Sequence, residues 1–383
     1  MHLLNNMGPA ALPVEIHSAE GALCWDTAGR QYWDFYGGHA VTLLGQGHPR
    51  WIEAITRQAR QLSFFTTVGP VPVRTRAAQK LAEFTGMDQV FFVNSGSEAN
   101  EAALKIARKA TGRPTIIAME KGFHGRTMGS LGATWKYVDQ HAPSHGHTRF
   151  VPFADIEALT QALDESVAAV IIEPIQGIAG IVEPPAGYLQ AVAAACKAVG
   201  ALLIADEIQC GLGRTGEPLV HTSQGVKADI VTVGKGLGNG FPVAACLLTE
   251  ALAATVNPGE HGTTFGGAPM ACAAVEATLD IMADEQIMEK TRAVGEALKN
   301  ELCAIEGVVE VRGAGAWIGV QLDRPAGPVK AALLDAGFLV GTASDPMVLR
   351  LAPPATVPLW ACRVLGEALA TVLSPSAAAV AAK

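Results

Sequence analysis

Three features common in other classes of protein are missing from this sequence. No stretch of about 18 uncharged apolar residues, the length of a membrane-spanning helix, occurs in the chain. No run of lysine or arginine exceeds a pair and the net charge is −8, so the chain lacks the electrostatic footprint of a protein that binds nucleic acid or an anionic membrane. Met1–Pro9 also lacks the basic region and apolar core of a secretory signal. We therefore expect a cytoplasmic protein that acts on small molecules.

Paired cysteines are missing as well. The seven cysteines lie far apart and form no Cys-x-x-Cys pair, and a chain of 383 residues is large enough to fold without disulfides. This spacing argues against a disulfide framework and against a zinc site. It predicts that most of the cysteines are buried thiols.

What the chain does contain is an alternation of short apolar runs and helical stretches. Runs such as Val167–Ile172 and Leu202–Ala205 are typical of strands that are buried on both faces of a sheet. The alternation predicts an α/β fold with a mainly parallel sheet between two layers of helices. The predicted strands are Val90–Asn94, Thr115–Met119, Ala168–Glu173, Ala201–Asp206 and Ile230–Val233, and the predicted helices are Glu98–Thr111 and Tyr188–Val199.

The pattern differs at the two ends of the chain. Near the start, a turn at Asp26–Arg30 followed by Gln31–Tyr36 predicts a short hairpin. After Gly267 the chain continues with a long helical stretch, Ala271–Ile305, that contains a break, and then with the strands Val308–Val311, Trp317–Leu322 and Met347–Leu351. We predict an N-terminal segment over residues 1–45, a large cofactor-binding domain over 46–267 and a smaller α+β domain over 268–383.

Polar residues at strand ends mark the predicted site, because ligands of open α/β sheets bind beyond the carboxyl ends of the strands. Asn94–Asn100 (NSGSEAN) forms a small-residue turn that opens a helix, and its free N–H groups suit a phosphate. An ordinary strand-to-helix turn capped by Ser97 is an equally good interpretation.

Two further strand ends carry Asp206 and Lys235. A buried carboxylate at Asp206 needs a cationic partner, which a protonated pyridine nitrogen would supply, although such a residue more often caps the next helix. Lys235 lies between Gly234 and Gly236, and a partly desolvated lysine has the lowered pKa that a Schiff-base nucleophile requires. The alternative is a surface lysine with a packed stem, which the flanking glycines disfavour.

The fourth strand end is Ile171–Gly177, and the turn Glu120–Thr127 places Phe123 beside a histidine and an arginine. Phe123 suits stacking on a flat ring, although on its own it is more often a core residue. A phosphate turn, a stacking ring, a buried acid and a lysine together indicate a site for pyridoxal 5′-phosphate.

The sequence resembles the class-III, or ω-amino acid, aminotransferases of pyridoxal-phosphate fold type I over nearly its whole length, and most of all their acetylornithine branch. This resemblance implies a sheet of the seven-stranded type in the large domain, a transaminase activity and an active site at the interface of a homodimer. The matching stretches are Asp34–Pro49, Asn94–Glu101, Lys121–Thr127, Glu173–Gly177, Ala205–Gly216, Gly234–Pro242, His261–Gly267 and Leu349–Pro354.

The resemblance also implies a role for each matching residue. Lys235 would hold the cofactor as a Schiff base and move the proton, and Asp206 would pair with the ring nitrogen. The remaining cofactor contacts would come from Gly96 and Ser97 (phosphate), Phe123 (ring stacking), Gln209 (ring hydroxyl) and Thr264 (phosphate of the neighbouring subunit). The substrate contacts would come from Arg126 with Thr263 beside it, for the α-carboxylate of an acylated diamino acid, and from Arg350, for the carboxylate of glutamate or 2-oxoglutarate.

Two positions depart from the family pattern. Ile178 follows Gly177 where the family usually has a glutamate that masks the second arginine, so Arg350 is expected to stay available to carboxylates in both half-reactions. His39 stands where the family more often has an apolar residue. A group of histidines at 141, 145 and 147 is interpreted as part of a solvated loop, and no metal is assigned.

We therefore expect transfer of an amino group from an N-acylated diamino acid, best represented by N-acetylornithine, to 2-oxoglutarate, giving glutamate. The alternatives are a class-III aminotransferase for another ω-, β- or diamino acid, such as 4-aminobutyrate or ornithine, or an aminomutase that needs no 2-oxo acid. A protein that kept the fold but only binds ligands is disfavoured by the intact set Asp206, Gln209 and Lys235.

Overall fold

A computed structural model describes residues 12–135 and 147–374. The chain begins with strands β1 (Ile16–Glu20), β2 (Leu23–Asp26) and β3 (Gln31–Asp34), and β2 pairs with both neighbours in antiparallel fashion. Asp26 Oδ1 accepts hydrogen bonds from the N–H groups of Ala28 and Arg30, at 2.9 and 2.8 Å, and so closes the turn between β2 and β3. The predicted hairpin is confirmed. The short turn α1 (Gly37–Ala40) follows it.

A seven-stranded sheet forms the centre of the molecule. Its strand order is β4-β10-β9-β8-β7-β5-β6, in which β10 runs antiparallel to both of its neighbours and every other pair is parallel. The predicted mainly parallel sheet is therefore confirmed. The strands are β4 (Gln89–Val93), β5 (Thr115–Met119), β6 (Thr148–Val151), β7 (Val167–Ile172), β8 (Leu202–Asp206), β9 (Ile230–Val233) and β10 (Ala244–Leu248).

Apolar side chains cover both faces of this sheet. Along β7 all six residues are buried, and Val170 and Ile172 belong to one hydrophobic cluster while Ala169 and Ile171 belong to another. Alternate residues of a strand point to opposite faces, so the two clusters are the two helix-covered layers. The helices of this part are α2 (Pro49–Gln61), α3 (Pro72–Thr85), α4 (Gly96–Thr111), α5 (Met128–Gly132), α6 (Ile156–Ala162), α7 (Tyr188–Val199), α8 (Val220–Ser223) and α9 (Glu250–Ala253).

The C-terminal part contains a second, antiparallel sheet with the order β11-β12-β15-β14. The predicted long helix is two helices, α10 (Pro269–Asp284) and α11 (Ile287–Leu302), separated at Gln286, whose φ of 53° cannot continue a right-handed helix. The remaining elements are β11 (Val308–Ala314), β12 (Trp317–Leu322), α12 (Ala326–Asp335), β13 (Phe338–Leu339), β14 (Gly341–Thr342), β15 (Val348–Leu351) and α13 (Leu359–Leu373).

Packing links the ends of the chain and also joins α10 to the central sheet. β13 pairs in parallel with β3, and Trp33 contacts Trp360 edge to face at 5.2 Å. Helix α10 contributes Ala271 and Leu279 to the same hydrophobic cluster as the central sheet, and Arg76 and Glu276 form an ion pair between α3 and α10. Helix α10 therefore packs with the seven-stranded region, while the division at 1–45, 46–267 and 268–383 stays a prediction.

The cysteines are free, and six of the seven are buried, with Cys303 the exposed exception. Burial raises the pKa of Cys24, Cys196 and Cys246 to about 12, as expected for inert thiols. No helix within residues 12–135 and 147–374 is long and apolar enough to cross a membrane. Within those residues, too, no group of three or more His, Cys, Asp or Glu side chains has the arrangement of a metal site, and positions 141 and 145 lie outside them.

Candidate active site

A cavity of about 470 Å³ lies where β4, β7, β8 and β9 end. Its volume falls in the range of sites that enclose small molecules. Every predicted site residue except Thr263 and Thr264 lines it, although the role of each stays a prediction. The lining residues are His39, Gly96, Ser97, Phe123, His124, Gly125, Arg126, Glu173, Ile178, Asp206, Ile208, Gln209, Lys235 and Arg350.

Lys235 follows β9 after one residue, Gly234, and begins a short 3-10 turn. Its backbone has a φ of 46°, a left-handed conformation that is rare for residues other than glycine. Desolvation lowers the pKa of Lys235, because burial disfavours the charged ammonium. This shift moves the amine toward the nucleophilic form that a Schiff-base lysine requires.

Asp206 ends β8 and is only 3% exposed. Its Oδ2 atom accepts hydrogen bonds from Asn100 Nδ2 at 2.8 Å and from His124 Nδ1 at 2.7 Å, and Oδ1 accepts one from the N–H of Ile208 at 3.1 Å. These three donors satisfy both oxygens of the buried carboxylate. The stretch after Asp206 is a series of turns rather than a helix, so the capping role considered above does not apply.

Asn100 and His124 are themselves held in place. Asn100 Oδ1 accepts a hydrogen bond from Thr232 Oγ1 at 2.8 Å, and Asn100 Nδ2 also donates to the carbonyl oxygen of His124 at 2.7 Å. Since Asp206 is an acceptor, Nδ1 of His124 carries the proton of that hydrogen bond. Three elements of the fold, α4, β9 and the turn after β5, therefore fix the direction of the Asp206 carboxylate.

The predicted phosphate turn is the start of α4. Ser95, not Ser97, caps this helix, since Ser95 Oγ accepts from the N–H of Glu98 at 3.3 Å. In the part of the chain that the structure describes, the N–H groups of Gly96 and Ser97 have no acceptor. A Cβ on Gly96 would lie 2.9 Å from Ile208 Cδ1, so a larger residue there would displace Ile208. The turn presents unpaired N–H groups and the positive end of a helix to the cavity.

Glu173 supports two sides of the cavity at once. Its Oε1 atom accepts from the N–H of Phe123 at 2.8 Å, and Oε2 accepts from the N–H of Gly177 at 3.0 Å. Burial raises the pKa of Glu173, and these hydrogen bonds oppose that rise. The side chain thus ties the segment of the predicted stacking residue Phe123 to the turn that carries Ile178.

Arg350 is 6% exposed, and its guanidinium donates to neutral oxygens of Thr342, Gly177 and Tyr36. Nε donates to the carbonyl oxygen of Thr342 at 2.7 Å, and Nη2 donates to the Tyr36 hydroxyl at 3.3 Å. No carboxylate of residues 12–135 or 147–374 forms an ion pair with it. Desolvation lowers the pKa of Arg350, and a buried cation without a counter-charge is a site for an anion.

Thr263 and Thr264 do not reach this cavity within one chain. Thr263 Oγ1 accepts from Asn94 Nδ2 at 3.3 Å and lines a separate cavity of about 630 Å³, and Thr264 is exposed. The predicted position of Thr263 beside Arg126 is therefore not observed in the single chain. A contact from Thr264 to the phosphate of a neighbouring subunit stays a prediction.

Sequence reasoning missed four residues of the site: Asn100, His124, Glu173 and Ile208. His124 and Glu173 were visible as polar residues near strand ends, but the residues that they contact are distant in sequence. Asn100 gave a weaker signal, a polar side chain on the buried face of α4. Ile208 reads as an ordinary apolar residue, and only its place beside Gly96 in the cavity shows its importance.

These groups fit pyridoxal 5′-phosphate. The unpaired N–H groups of Gly96 and Ser97 suit its phosphate, and the apolar surfaces of Phe123 and Ile208 suit its ring. Asp206 suits the protonated ring nitrogen, and the Lys235 amine suits its aldehyde. The donor set thus matches each chemical group of the cofactor.

Comparison with known proteins agrees with this geometry. Residues 5–373 match the family model described as aminotransferase class-III. The chain is 44% identical over 358 residues to an acetylornithine aminotransferase of Streptomyces coelicolor, covering 92% of this chain and 88% of the relative.

Two solved structures are similar over almost the full chain. One is an ornithine aminotransferase of Toxoplasma gondii with partial occupancy of PLP at its active site (TM-score 0.88, 31% identity, covering 97% of this chain and 91% of that one). The other is an acetylornithine aminotransferase of Elizabethkingia anophelis (TM-score 0.86, 30% identity, covering 97% and 96%). The similarity therefore extends through the N-terminal strands, the seven-stranded sheet and the C-terminal sheet.

Proposed function

The chain belongs to the class-III aminotransferase family, and we propose that it transfers the amino group of N-acetylornithine to 2-oxoglutarate, giving glutamate. It is a PLP-dependent enzyme of fold type I. The choice of donor is supported by relatives named acetylornithine aminotransferase at 38–44% identity. The proposal treats Lys235 and Asp206 as catalytic residues.

The observation that carries this proposal is the pair of arginines in the cavity that holds Lys235. Arg350 is buried without an ion-pair partner in the described residues, so a substrate carboxylate would complete its environment. Arg126 lines the same cavity and provides a second place for a carboxylate. A dicarboxylate such as 2-oxoglutarate can use both guanidinium groups, and each can bind a carboxylate through two parallel hydrogen bonds.

Charge around the cavity favours an acylated donor over free ornithine. Desolvation and then the positive charges of Arg350, Lys235, Lys330 and Arg126 lower the pKa of His39 to about 4. An environment that disfavours a protonated imidazole also disfavours an additional ammonium group. Acetylation removes the charge of the α-amino group of ornithine, so N-acetylornithine enters with one ammonium group rather than two.

The chain's own residues divide the chemical work. When bound, pyridoxal phosphate supplies an electron sink for the electron pair left on the substrate carbon. The Lys235 amine, whose pKa is lowered by desolvation, accepts the proton from that carbon and returns it as an acid. Three donors hold the Asp206 carboxylate in one orientation, and Glu173 keeps the Phe123 segment in place.

We also propose that the active enzyme is a homodimer with its site at the interface. Phe64, Phe65, Val68 and Phe265 are exposed apolar residues, and the rings of Phe64 and Phe265 lie 5.6 Å apart. Such a patch marks a surface that another protein covers, and Thr264 is the immediate neighbour of Phe265. Light scattering of the active enzyme tests this proposal, and a fully active monomer contradicts it.

A donor panel tests the substrate. Purified enzyme is assayed for glutamate with 2-oxoglutarate and, in turn, N-acetylornithine, ornithine and 4-aminobutyrate. We expect the highest kcat/KM for N-acetylornithine, exceeding that for ornithine by about tenfold or more, the effect of one uncompensated polar group in a site. A higher kcat/KM for ornithine or 4-aminobutyrate rejects the proposed donor. Amine migration without 2-oxoglutarate would instead identify an aminomutase.

A further inference from the structure

We propose that Tyr36 and His39 form an uncharged brace that orients Arg350 toward the carboxylate of 2-oxoglutarate or glutamate. This inference rests on the proposed function and adds two positioning residues to it. His39 and Tyr36 act through Arg350 and do not themselves carry out proton transfer. The brace therefore supports the half-reaction with 2-oxoglutarate, and its loss is expected to lower kcat/KM for that substrate more than kcat/KM for the donor.

A chain of hydrogen bonds connects the three side chains. Arg350 Nη2 donates to the Tyr36 hydroxyl oxygen at 3.3 Å, and the Tyr36 hydroxyl forms a short hydrogen bond with His39 Nδ1. An arginine only donates, so the tyrosine oxygen is the acceptor toward Arg350 and its O–H is left to donate to His39. His39 Nδ1 must then be unprotonated, which makes the imidazole neutral and the whole brace uncharged.

Packing fixes the ring of Tyr36 between its two partners. The guanidinium carbon of Arg350 lies 5.9 Å from the centre of the Tyr36 ring, and the rings of Tyr36 and His39 lie 4.6 Å apart. On the other side, a Cβ on Gly341 would collide with the Tyr36 ring. Gly341 is the direct partner of Arg350 in the pairing of β14 with β15, so the sheet that carries the arginine also carries the support of the tyrosine.

A strained backbone brings His39 to this position. Gly37, Gly38, His39 and Ala40 have φ values of 56°, 57°, 68° and 66°, a complete left-handed turn that includes two residues with side chains. Asp34 Oδ1 holds the start of the turn by accepting from the N–H groups of Tyr36 and Gly37, at 3.0 and 2.7 Å. Left-handed turns with non-glycine residues persist only where the surroundings impose them, and they occur preferentially at functional sites.

An uncharged brace has a different consequence from a carboxylate partner. A carboxylate at Arg350 would cancel its charge and compete with the substrate for the same N–H groups. Tyr36 occupies one nitrogen with a neutral oxygen, and Ile178, which lines the same cavity, offers no charge at all. Arg350 is thus held in one orientation while its charge stays available to a carboxylate.

The test compares His39→Leu with His39→Asn. Asparagine carries an oxygen acceptor on Cγ, as histidine carries Nδ1, and it tolerates a left-handed backbone, whereas leucine has a similar branched shape without an acceptor. In a two-step transfer, kcat/KM for each substrate reports its own half-reaction. We expect His39→Leu to lower kcat/KM for 2-oxoglutarate about tenfold more than kcat/KM for the donor, and His39→Asn to restore most of the loss.

A binding measurement accompanies the kinetics. Glutarate is a dicarboxylate that cannot react, and its Kd for the holoenzyme is expected to rise about tenfold in His39→Leu and in Tyr36→Phe. The double variant is expected to be no worse than Tyr36→Phe, because both changes break one chain of hydrogen bonds. An unchanged ratio of the two kcat/KM values in both single variants, or strictly additive losses in the double variant, would overturn the proposal.

Failure of the brace can be told apart from failure of the proposed donor. The half-reaction with glutamate is followed alone by the absorbance of the cofactor, without N-acetylornithine. If glutamate reacts and N-acetylornithine does not, the donor assignment is wrong, and the brace is judged from the glutamate reaction of the same variants. If the melting temperature of His39→Leu shows that it does not fold, the kcat/KM ratio and the glutarate Kd of Tyr36→Phe decide the test.

Discussion

The two ends of the active-site cavity are built differently. On the side of the cavity that carries Asp206, the buried carboxylate accepts hydrogen bonds from three donors. One of these donors, Asn100, is held in turn by a hydrogen bond from Thr232. On the side that carries Arg350, a buried cation contacts two backbone carbonyls and one tyrosine hydroxyl, and no charged partner appears among the described residues. The first end is complete without a substrate, whereas the second is completed by one. Changes at the first end should therefore affect the reaction rate, and changes at the second should affect which substrate reacts.

The largest effect is expected at Lys235, on which both half-reactions depend. Lys235→Ala removes the amine that is proposed to hold the cofactor and move the proton, and we expect kcat to fall by about 10³-fold or more. Stopped-flow or long-interval assays of both half-reactions measure the loss. A catalytically silent binding protein would show the same trace activity before and after the change, and residual turnover above about a tenth of wild type contradicts the assigned role.

Asp206→Asn is the most direct way to disrupt the side of the cavity that is proposed to hold the cofactor ring. The amide keeps the shape but loses the negative charge, and its NH₂ group meets the donors of Asn100 or His124. We expect kcat to fall by about 100-fold or more, the scale of losing one fixed electrostatic contact. The ratio of kcat/KM values between donor and acceptor should stay nearly constant, and a large change in this ratio would contradict the division between the two ends.

Arg350→Lys is the corresponding change at the substrate end. Lysine keeps the positive charge but loses the planar fork that binds a carboxylate through two hydrogen bonds. We expect kcat/KM for 2-oxoglutarate to fall about 10- to 100-fold, with a smaller effect on kcat/KM for N-acetylornithine. Equal losses for the two substrates would show that Arg350 supports the fold of the site and does not select the acceptor.

Ile178→Glu is expected to have the smallest effect. It adds a charged partner for Arg350, whereas Arg350→Lys removes a contact. A carboxylate at position 178, next to Gly177, can pair with Arg350. The introduced carboxylate would then compete with the carboxylate of the substrate glutamate but not with a terminal-amine donor. We expect the preference for N-acetylornithine over glutamate, as a ratio of kcat/KM values, to rise by about three- to tenfold. Ile178→Gln is the uncharged control, and a similar shift in that variant would rule out a charge effect.

Strand ends were the most informative part of the sequence. Asp206 and Lys235 lie at the carboxyl ends of buried runs, and the structure ends β8 at Asp206 and β9 at Val233, two residues before Lys235. The break in the long C-terminal helical stretch was also predictable, and it occurs at Gln286. The cytoplasmic location, the absence of a metal and the individual roles of the site residues stay predictions.

Contacts between distant segments could not be predicted from local patterns. Asp206 contacts Asn100 and His124 across 106 and 82 positions, and Tyr36 contacts Arg350 across 314 positions. The consecutive glycines 37 and 38 suggest a turn, but nothing local indicates that His39 and Ala40 continue it in left-handed conformation. Such a conformation is imposed by packing, which the sequence specifies only through the completed fold.

The absorbance spectrum of the purified protein tests the central claim, that one cavity with Lys235 at its base carries out both half-reactions. The spectrum is recorded alone, after addition of N-acetylornithine, and after removal of the donor and addition of 2-oxoglutarate. We predict that the band of the lysine-bound cofactor disappears with the donor and returns with the acceptor, and that it is missing in Lys235→Ala. A protein that shows no such band even after incubation with pyridoxal phosphate, or a band that neither substrate changes, would contradict the account.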